Sequence, residues 1–345
     1  MKIAVVYNEP VSGRADSIDV LDEVSLVTDS LKELGHDFKV FPVGDRRGTY
    51  SLSESVFLLL ISLRKYAPNI IFNLIEEFKG ESSHQLYFLL MFELANYSFT
   101  GSHYEAVLTT NDKGLSKMIM KKFRIATTLY QEYSGQEIKI SIPPPWIVKP
   151  ALEDSSIGID DSSVCDDIAK LTSVLPSMYK TYRKQPILIE KYIDGREFNI
   201  SLLETVSGNT RVLPIAEMFF HDWPGEKPKI VGYKAKWNRE SFEYKNILRQ
   251  FNPYDAPLSQ LSYLALKCWK IFNLSGYARI DMRMDKERNI FVIDVNANPC
   301  IAPDSGFIAA AKEGGYEAKD VIKEIIDAAY IYSKKSKKDL LKHHI

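Results

Sequence analysis

Three features of the sequence predict an α/β protein. Strand-like and helical patterns alternate through residues 1–100, the strands there are short continuous apolar runs, and a second group of strand patterns gathers after Pro186. Residues 3–7 (Ile-Ala-Val-Val-Tyr) form an apolar run suited to a strand buried on both faces. A helical pattern covers 20–34, and Gly35 follows it where a helix C-cap is expected. Residues 38–41 and 69–74 read as two further strands, and 53–65 and 82–95 as two further helices. This order implies a parallel sheet with helices on its faces, a Rossmann-like lobe over 1–102. Its first turn, Asn8-Glu9-Pro10-Val11-Ser12-Gly13, lacks the G-x-G-x-x-G spacing, so NAD is not expected.

Beyond Thr100-Gly101-Ser102 two short helical stretches lead to Pro143-Pro144-Pro145, which only a loop or an extended strand entry accommodates. Strands are expected over 187–193, 198–203, 211–218, 277–284 and 290–295, with helices over 259–272 and 319–333. The resulting units are 103–186, 187–333 and a basic tail, 334–345. The run Lys334-Lys335-Ser336-Lys337-Lys338 is expected to stay extended, because its like charges repel.

Composition excludes several classes. The 345 residues suggest about two or three domains. Lys plus Arg (44) nearly cancels Asp plus Glu (45), which leaves no footprint for nucleic acid or an anionic membrane. Cys165, Cys268 and Cys300 are too few and too scattered for a disulfide scaffold or structural zinc, and each is expected to be a small core hydrophobe in a reducing compartment. Met1 leads straight into a strand pattern, and no stretch reaches the ~18 apolar residues that span a bilayer. A cytoplasmic location is expected.

Chemistry concentrates near the C-terminal end. Arg279-Ile280-Asp281 and Asp294-Val295-Asn296 lie on strand patterns joined by the polar turn Asp285-Lys286-Glu287-Arg288-Asn289. Alternation places Arg279 with Asp281, and Asp294 with Asn296, on one face of a hairpin. If they are buried, leaving these groups without partners costs several kcal/mol, which Mg²⁺ would offset, since it prefers oxygen ligands shared with phosphate; the other reading is a surface hairpin with scattered polar residues. A second signal is Lys149, delivered by the apolar strand Trp146-Ile147-Val148 to the polar loop Glu153-Asp154-Ser155-Ser156-Ile157-Gly158, which offers hydroxyls and N–H groups to phosphate. Third, Glu190-Lys191-Tyr192-Ile193-Asp194-Gly195-Arg196-Glu197 links two strands. Its backbone suits an adenine edge with Glu197 near a ribose, and Asp194-Gly195 also suits a hairpin turn.

Together with Asn111-Asp112-Lys113 and Lys234-Ala235-Lys236-Trp237, and in this order, these motifs resemble the D-alanine–D-alanine ligases of the ATP-grasp superfamily, from about residue 99 to 333. The resemblance implies a two-subdomain ATP-grasp fold after the Rossmann-like lobe and an ATP-dependent carboxylate–amine ligase working through an acyl phosphate. Lys113 and Lys149 resemble the lysines that hold the α- and β-phosphates, and Glu190 with the Tyr192-Ile193 backbone the adenine hinge. Glu197 resembles the ribose contact. Asp281, Asp294 and Asn296 resemble ligands to two Mg²⁺ ions, with Mn²⁺ a possible substitute. Arg279 resembles the oxyanion stabiliser, Lys236 a γ-phosphate lysine on a mobile loop, and Ser155 a substrate-positioning hydroxyl. Ser305-Gly306 matches the holder of the second substrate's carboxylate. The loops 153–161 and 221–238 are the expected lids. The resemblance also implies small amino-acid or peptide substrates and a homodimer.

Two departures fall in the amino-terminal lobe. Leu21 stands where the ligases place a glutamate for the first substrate's ammonium, ahead of Glu23-Val24-Ser25, and Asn73-Leu74-Ile75-Glu76-Glu77-Phe78-Lys79-Gly80-Glu81 replaces a His-Gly-x-x-Gly-Glu-Asp-Gly segment. ATP chemistry is therefore more legible than the substrate, and either a different amino acid or peptide, or phosphoryl transfer to a hydroxyl, is the alternative.

Overall fold

The computed structural model describes residues 1–11, 13–44, 49–182 and 184–342. The amino-terminal lobe contains β1 (Lys2–Asn8), α1 (Ala15–Glu33), β2 (Asp37–Val43), α2 (Leu52–Tyr66), β3 (Ile70–Leu74) and α3 (Gln85–Leu94). Its three strands pair in parallel in the order β2-β1-β3. Every residue of β3 is buried, as an apolar run covered on both faces should be. Helix α1 begins five residues before the expected position 20. Its first turn is polar (Asp16, Ser17, Asp19), so the apolar periodicity starts late even though the backbone is already helical.

The central unit holds α4 (Tyr104–Asn111), α5 (Lys113–Lys122), β4 (Tyr130–Tyr133), β5 (Trp146–Pro150), β6 (Val164–Cys165), α6 (Ile168–Thr181) and β7 (Ile187–Lys191). Its antiparallel sheet runs β4-β7-β5-β6, so β7 lies in this sheet although it follows residue 186. The chain then enters a six-stranded antiparallel sheet. This comprises β8 (Arg196–Glu204), β9 (Thr210–Val212), β10 (Ala216–Phe220), β11 (Ile247–Phe251), β12 (Tyr277–Met284) and β13 (Ile290–Asn296). Helices α7 (Tyr233–Trp237), α8 (Phe242–Asn246), α9 (Leu258–Ile271), α10 (Gly306–Glu313) and α11 (Ala318–Lys342) complete the chain.

Three expectations are corrected. Asp194-Gly195 is not a hairpin turn, because β7 pairs with β4 and β5 while β8 pairs with β10 and β12. The segment is a crossover between two sheets. A Cβ at Gly195 would sit 2.0 Å from the Met284 carbonyl oxygen, so only glycine permits this approach. The strand expected over 211–218 is split into β9 and β10 by Leu213-Pro214-Ile215, since proline cannot donate to the ladder. The tail from 334 is helical rather than extended, as α11 runs to Lys342. Propagating an established helix gains one bond per residue, and lysine and leucine are good helix formers, which outweighs the repulsion.

Two apolar cores weld the lobes. One joins β1 and α1 to α10 and α11 through Val5, Val27, Phe307 and Ile325. The other joins α2 and α3 to β8 and β12 through Leu63, Phe92, Ile200 and Ile280. The faces of the two antiparallel sheets and the polar start of α1 enclose one cavity of about 920 Å³. Among the described residues no helix is long and apolar enough to cross a membrane.

Candidate active site

The cavity is lined by every residue expected above to bind nucleotide, metal or substrate: Lys113, Lys149, Ser155, Glu190, Tyr192, Ile193, Glu197, Lys236, Arg279, Asp281, Asp294, Asn296, Ser305 and Gly306. One wall is the ribbon β8-β12-β13. Across it Asp281 is register partner to both Asn199 and Asp294, Arg279 to Asn296, and Arg283 to Glu197. Arg279 grips Asp281 with two bonds, Nε to Oδ1 at 2.8 Å and Nη2 to Oδ2 at 2.9 Å, while Asn199 Nδ2 donates to Oδ1 at 2.9 Å. Burial pushes the Asp294 carboxyl up, but Lys113, Lys149 and Arg279 pull it further down, to a net value below the ordinary one. Asn296 Oδ1 accepts the Asn298 N–H at 2.9 Å.

Like charges directly opposed on a sheet are destabilising, so Asp281 facing Asp294 asks for a cation beyond the arginine. The donors are two carboxylates and an amide, all oxygen, which suits a hard divalent ion. Carboxylates keep lone pairs beyond those that Arg279 and Asn199 occupy, so the residues fit such an ion. Among the described residues no group of three or more His, Cys, Asp or Glu side chains is placed to hold a metal, and the set here relies on Asn296 as its third member.

The opposite wall presents the lysines. Lys149 Nζ forms an ion pair with Glu190 Oε1 at 2.8 Å, and Lys117 Nζ lies 3.0 Å from Oε2. Thr128 Oγ1 donates to Oε2 at 2.6 Å. Burial raises the Glu190 carboxyl, yet Lys117 and Lys149 outweigh it and hold it down at about 2; burial, partly countered by Glu190, lowers Lys117 to about 8. Glu190, only 1% exposed, thus spends its carboxylate on lysines rather than leaving it open at a hinge. The Tyr192 N–H is likewise taken, by the Pro145 carbonyl at 2.9 Å. Lys113 opens α5 behind the N-cap Asp112 and donates to the Glu153 carbonyl (2.7 Å) and Asp154 Oδ1 (3.0 Å).

The two expected lid loops are latched together. Trp237 Nε1 donates to the Ser155 carbonyl at 3.1 Å, Ser156 Oγ to Val231 at 2.8 Å, and the Tyr233 N–H to Ile159 at 2.9 Å. Ser155 and Ser156 hold φ of 56° and 61°, a left-handed backbone that costs non-glycine residues about 1–2 kcal/mol each. Tyr233 Oη reaches Asp16 on α1 at 2.7 Å, so the latch also closes on the amino-terminal lobe. Lys236 rides on α7, its ammonium disfavoured by burial and by Arg279. Ser305 caps α10, accepting the Ile308 N–H at 3.2 Å, and Arg249 donates to the neighbouring Asp304 carbonyl at 2.9 Å.

Sequence reasoning passed over several residues at or behind the cavity wall. Arg283 follows Asp281 by two on β12, so strand alternation alone places it on the site face. Lys117 follows Lys113 by four on α5, one helical turn along the same side. Cys300 is corrected: unlike the buried Cys165 and Cys268, it lines the cavity and its thiol donates to Asp19 Oδ2 at 2.8 Å. Leu21 does not line the cavity and is 40% exposed, whereas Asp19 and Glu23 on the same helix do line it.

Glu23 supplies a stability prediction. It is buried and accepts the Ile301 N–H at 2.5 Å, and burial raises its carboxyl from 4.5 to about 8. The folded value exceeds the unfolded one, so its contribution is fully present below pH 4.5 and fades as pH rises through about 8. Glu23→Gln should therefore raise Tm at pH 8 by roughly 2 °C or more, about 1 kcal/mol, and change it little at pH 4.5, read by calorimetry at both pH values. A larger gain at the lower pH is the opposite outcome.

Comparison with known proteins bears on this geometry. A sequence model described as the D-ala D-ala ligase C-terminus matches residues 110–327. The chain is 27% identical over 339 residues to a D-alanine–D-alanine ligase of Pseudothermotoga lettingae, covering 95% of this chain and 99% of that protein. It is 28% identical over 283 residues to the protein y4sG of Sinorhizobium fredii, 79% of this chain and 80% of that one. Its fold resembles the Bacillus anthracis D-alanine–D-alanine ligase complexed with ATP, with a TM-score of 0.73 at 18% identity, over 97% of this chain and 99% of the other.

Proposed function

This chain belongs to the D-ala D-ala ligase C-terminus family and is an ATP-dependent ligase, and on that premise we propose that it joins a carboxylate to an amine through an acyl phosphate. The observation that carries this reading is the single cavity in which buried lysines face a ribbon of buried carboxylates. Phosphoryl transfer requires positioning and positive charge around the phosphates rather than a protein nucleophile. Lys113 and Lys149 supply that charge at the α- and β-phosphates, and Lys236 brings a third ammonium on α7 to the γ-phosphate.

Adenine lies against the Tyr192-Ile193 backbone, with Glu197 reaching the ribose. Because the Tyr192 N–H is engaged, the hinge offers the base its remaining backbone groups. Asp281, Asp294 and Asn296 would hold two Mg²⁺ ions, which neutralise phosphate oxygens when bound. Ser155, held by the latch to Trp237, positions the acceptor carboxylate. That carboxylate takes the terminal phosphoryl group with loss of ADP, and the amine then attacks the acyl carbon and displaces phosphate. Arg279 is held by Asp281 where it can stabilise the oxyanion, a contribution of about 3–4 kcal/mol for one such donor. The N-terminus of α10 at Ser305-Gly306, beside Arg249, receives the amine substrate's carboxylate. Loops 153–161 and 221–238 exclude water from the acyl phosphate.

The test is phosphate release from ATP and Mg²⁺ over D- and L-amino acids, singly and in pairs. The expected result is release that depends on an amine as well as a carboxylate and is matched by a new amide in the mass spectrum. Phosphate transferred to a hydroxyl, with no amide formed, would overturn the reading.

A further inference from the structure

The amino-terminal wall of the cavity carries more carboxyl groups than the protein pairs with cations. Asp16, Asp19 and Glu23 lie along one side of α1, and Glu76 and Glu77 follow β3, all five lining the cavity. Arg14 pairs with Asp16 and, at 3.1 Å, with Glu77 Oε2. Asp19 takes the Cys300 thiol and Glu23 the Ile301 N–H, neither of them a cation. Glu76 has no ion pair among the described residues. Glu77 is 6% exposed, yet its Oε1 has no hydrogen-bond partner, a deficit of about 1–3 kcal/mol for a buried polar atom. Burial raises the carboxyls of Glu76 and Glu77, reinforced at Glu76 by Glu23 and Asp19 and partly opposed at Glu77 by Arg14.

We infer that this end of the cavity binds a carboxylate substrate with a cationic side chain, a basic α-amino acid, with Glu76 and Glu77 as the counter-charges of its second positive group. The inference rests on the ligase reading for the place of the carboxylate. One α-ammonium satisfies one member of the wall; Asp19 and Glu23, a helical turn apart on the cavity side of α1, are placed for it. The unpaired oxygen of Glu77 and the unpartnered carboxyl of Glu76 remain. A second cation on the same ligand meets both, which a neutral side chain such as that of alanine cannot do. A ligand cation placed against these carboxyls favours their ionised form, so they give up their protons as the pair forms and the attraction strengthens binding. Aspartate or glutamate as the substrate would add to the repulsion.

Calorimetric titration of the full chain, loaded with Mg²⁺ and a non-hydrolysable ATP analogue, tests this with ornithine, lysine, alanine and glutamate as both enantiomers. Ornithine or lysine is expected to bind at least tenfold more tightly than alanine, and glutamate more weakly than either. Glu76→Gln, which removes no ion pair from the fold, and Glu77→Gln should each cut the basic-over-neutral advantage at least fivefold. Alanine binding as tightly as the basic amino acids overturns the inference, as does an advantage that survives both variants or no binding by any of the four. The ligase reading is scored separately, by whether any carboxylate–amine pair drives phosphate release.

Discussion

Lys149→Ala should abolish turnover, lowering kcat on the order of 10³-fold or more, because the proposed α- and β-phosphate cation both positions the nucleotide and offsets charge on the departing ADP. The same substitution should cost about 3–5 kcal/mol of stability, since it leaves Glu190 buried with Lys117 as its one ionic partner. The pH dependence follows from the sign. Glu190 is held at about 2 against an ordinary 4.5, so its stabilising contribution is present above pH 4.5 and lost as pH falls toward 2. Without Lys149 the carboxyl moves up, and the acid-unfolding midpoint should rise with it. Urea melts at pH 7 and pH 4, alongside kcat on the folded fraction, separate the two effects. A folded Lys149→Ala variant that keeps more than a tenth of wild-type kcat would remove this lysine from the phosphate site.

Asp281→Ala carries the second large effect. Asp281 is bound by both nitrogens Nε and Nη2 of Arg279 and by Asn199, and it faces Asp294 across the hairpin. Removing it deletes a proposed metal ligand and frees the guanidinium from its position. Turnover should fall below detection, and the Mg²⁺ concentration for half-maximal phosphate release by any residual activity should rise. Asp281→Asn refines the test, because an amide still accepts from Arg279 but lacks the charge. If Asp281→Asn is inactive while thermal melts and ATP-analogue binding stay near wild type, the loss belongs to the metal and the reacting groups. Near-normal activity in either variant would place the metal elsewhere.

The C-terminal constellation was legible because strand alternation is a local rule. Arg279, Asp281, Asp294 and Asn296 share a face by parity alone, and the polar turn at 285–289 marks the hairpin that pairs them. Lys149 was legible for a similar reason, as the last polar group on an apolar strand. The alternation of strand and helix over residues 1–100 also determined the parallel lobe. What periodicity cannot express is which distant groups meet. Glu190 pairs with lysines from α5 and β5 across two elements, Asp19 on α1 meets Cys300 after β13, and β7 and β8 separate into different sheets at Asp194-Gly195. Those meetings follow from long-range packing, in which the burial of apolar surface brings segments together and their polar side chains must then find partners wherever they land. The residues of the proposed ATP end were therefore written in local pattern, while the cluster of carboxyls on the amino-terminal wall emerged only when α1, the turn after β3 and the segment after β13 closed on one cavity.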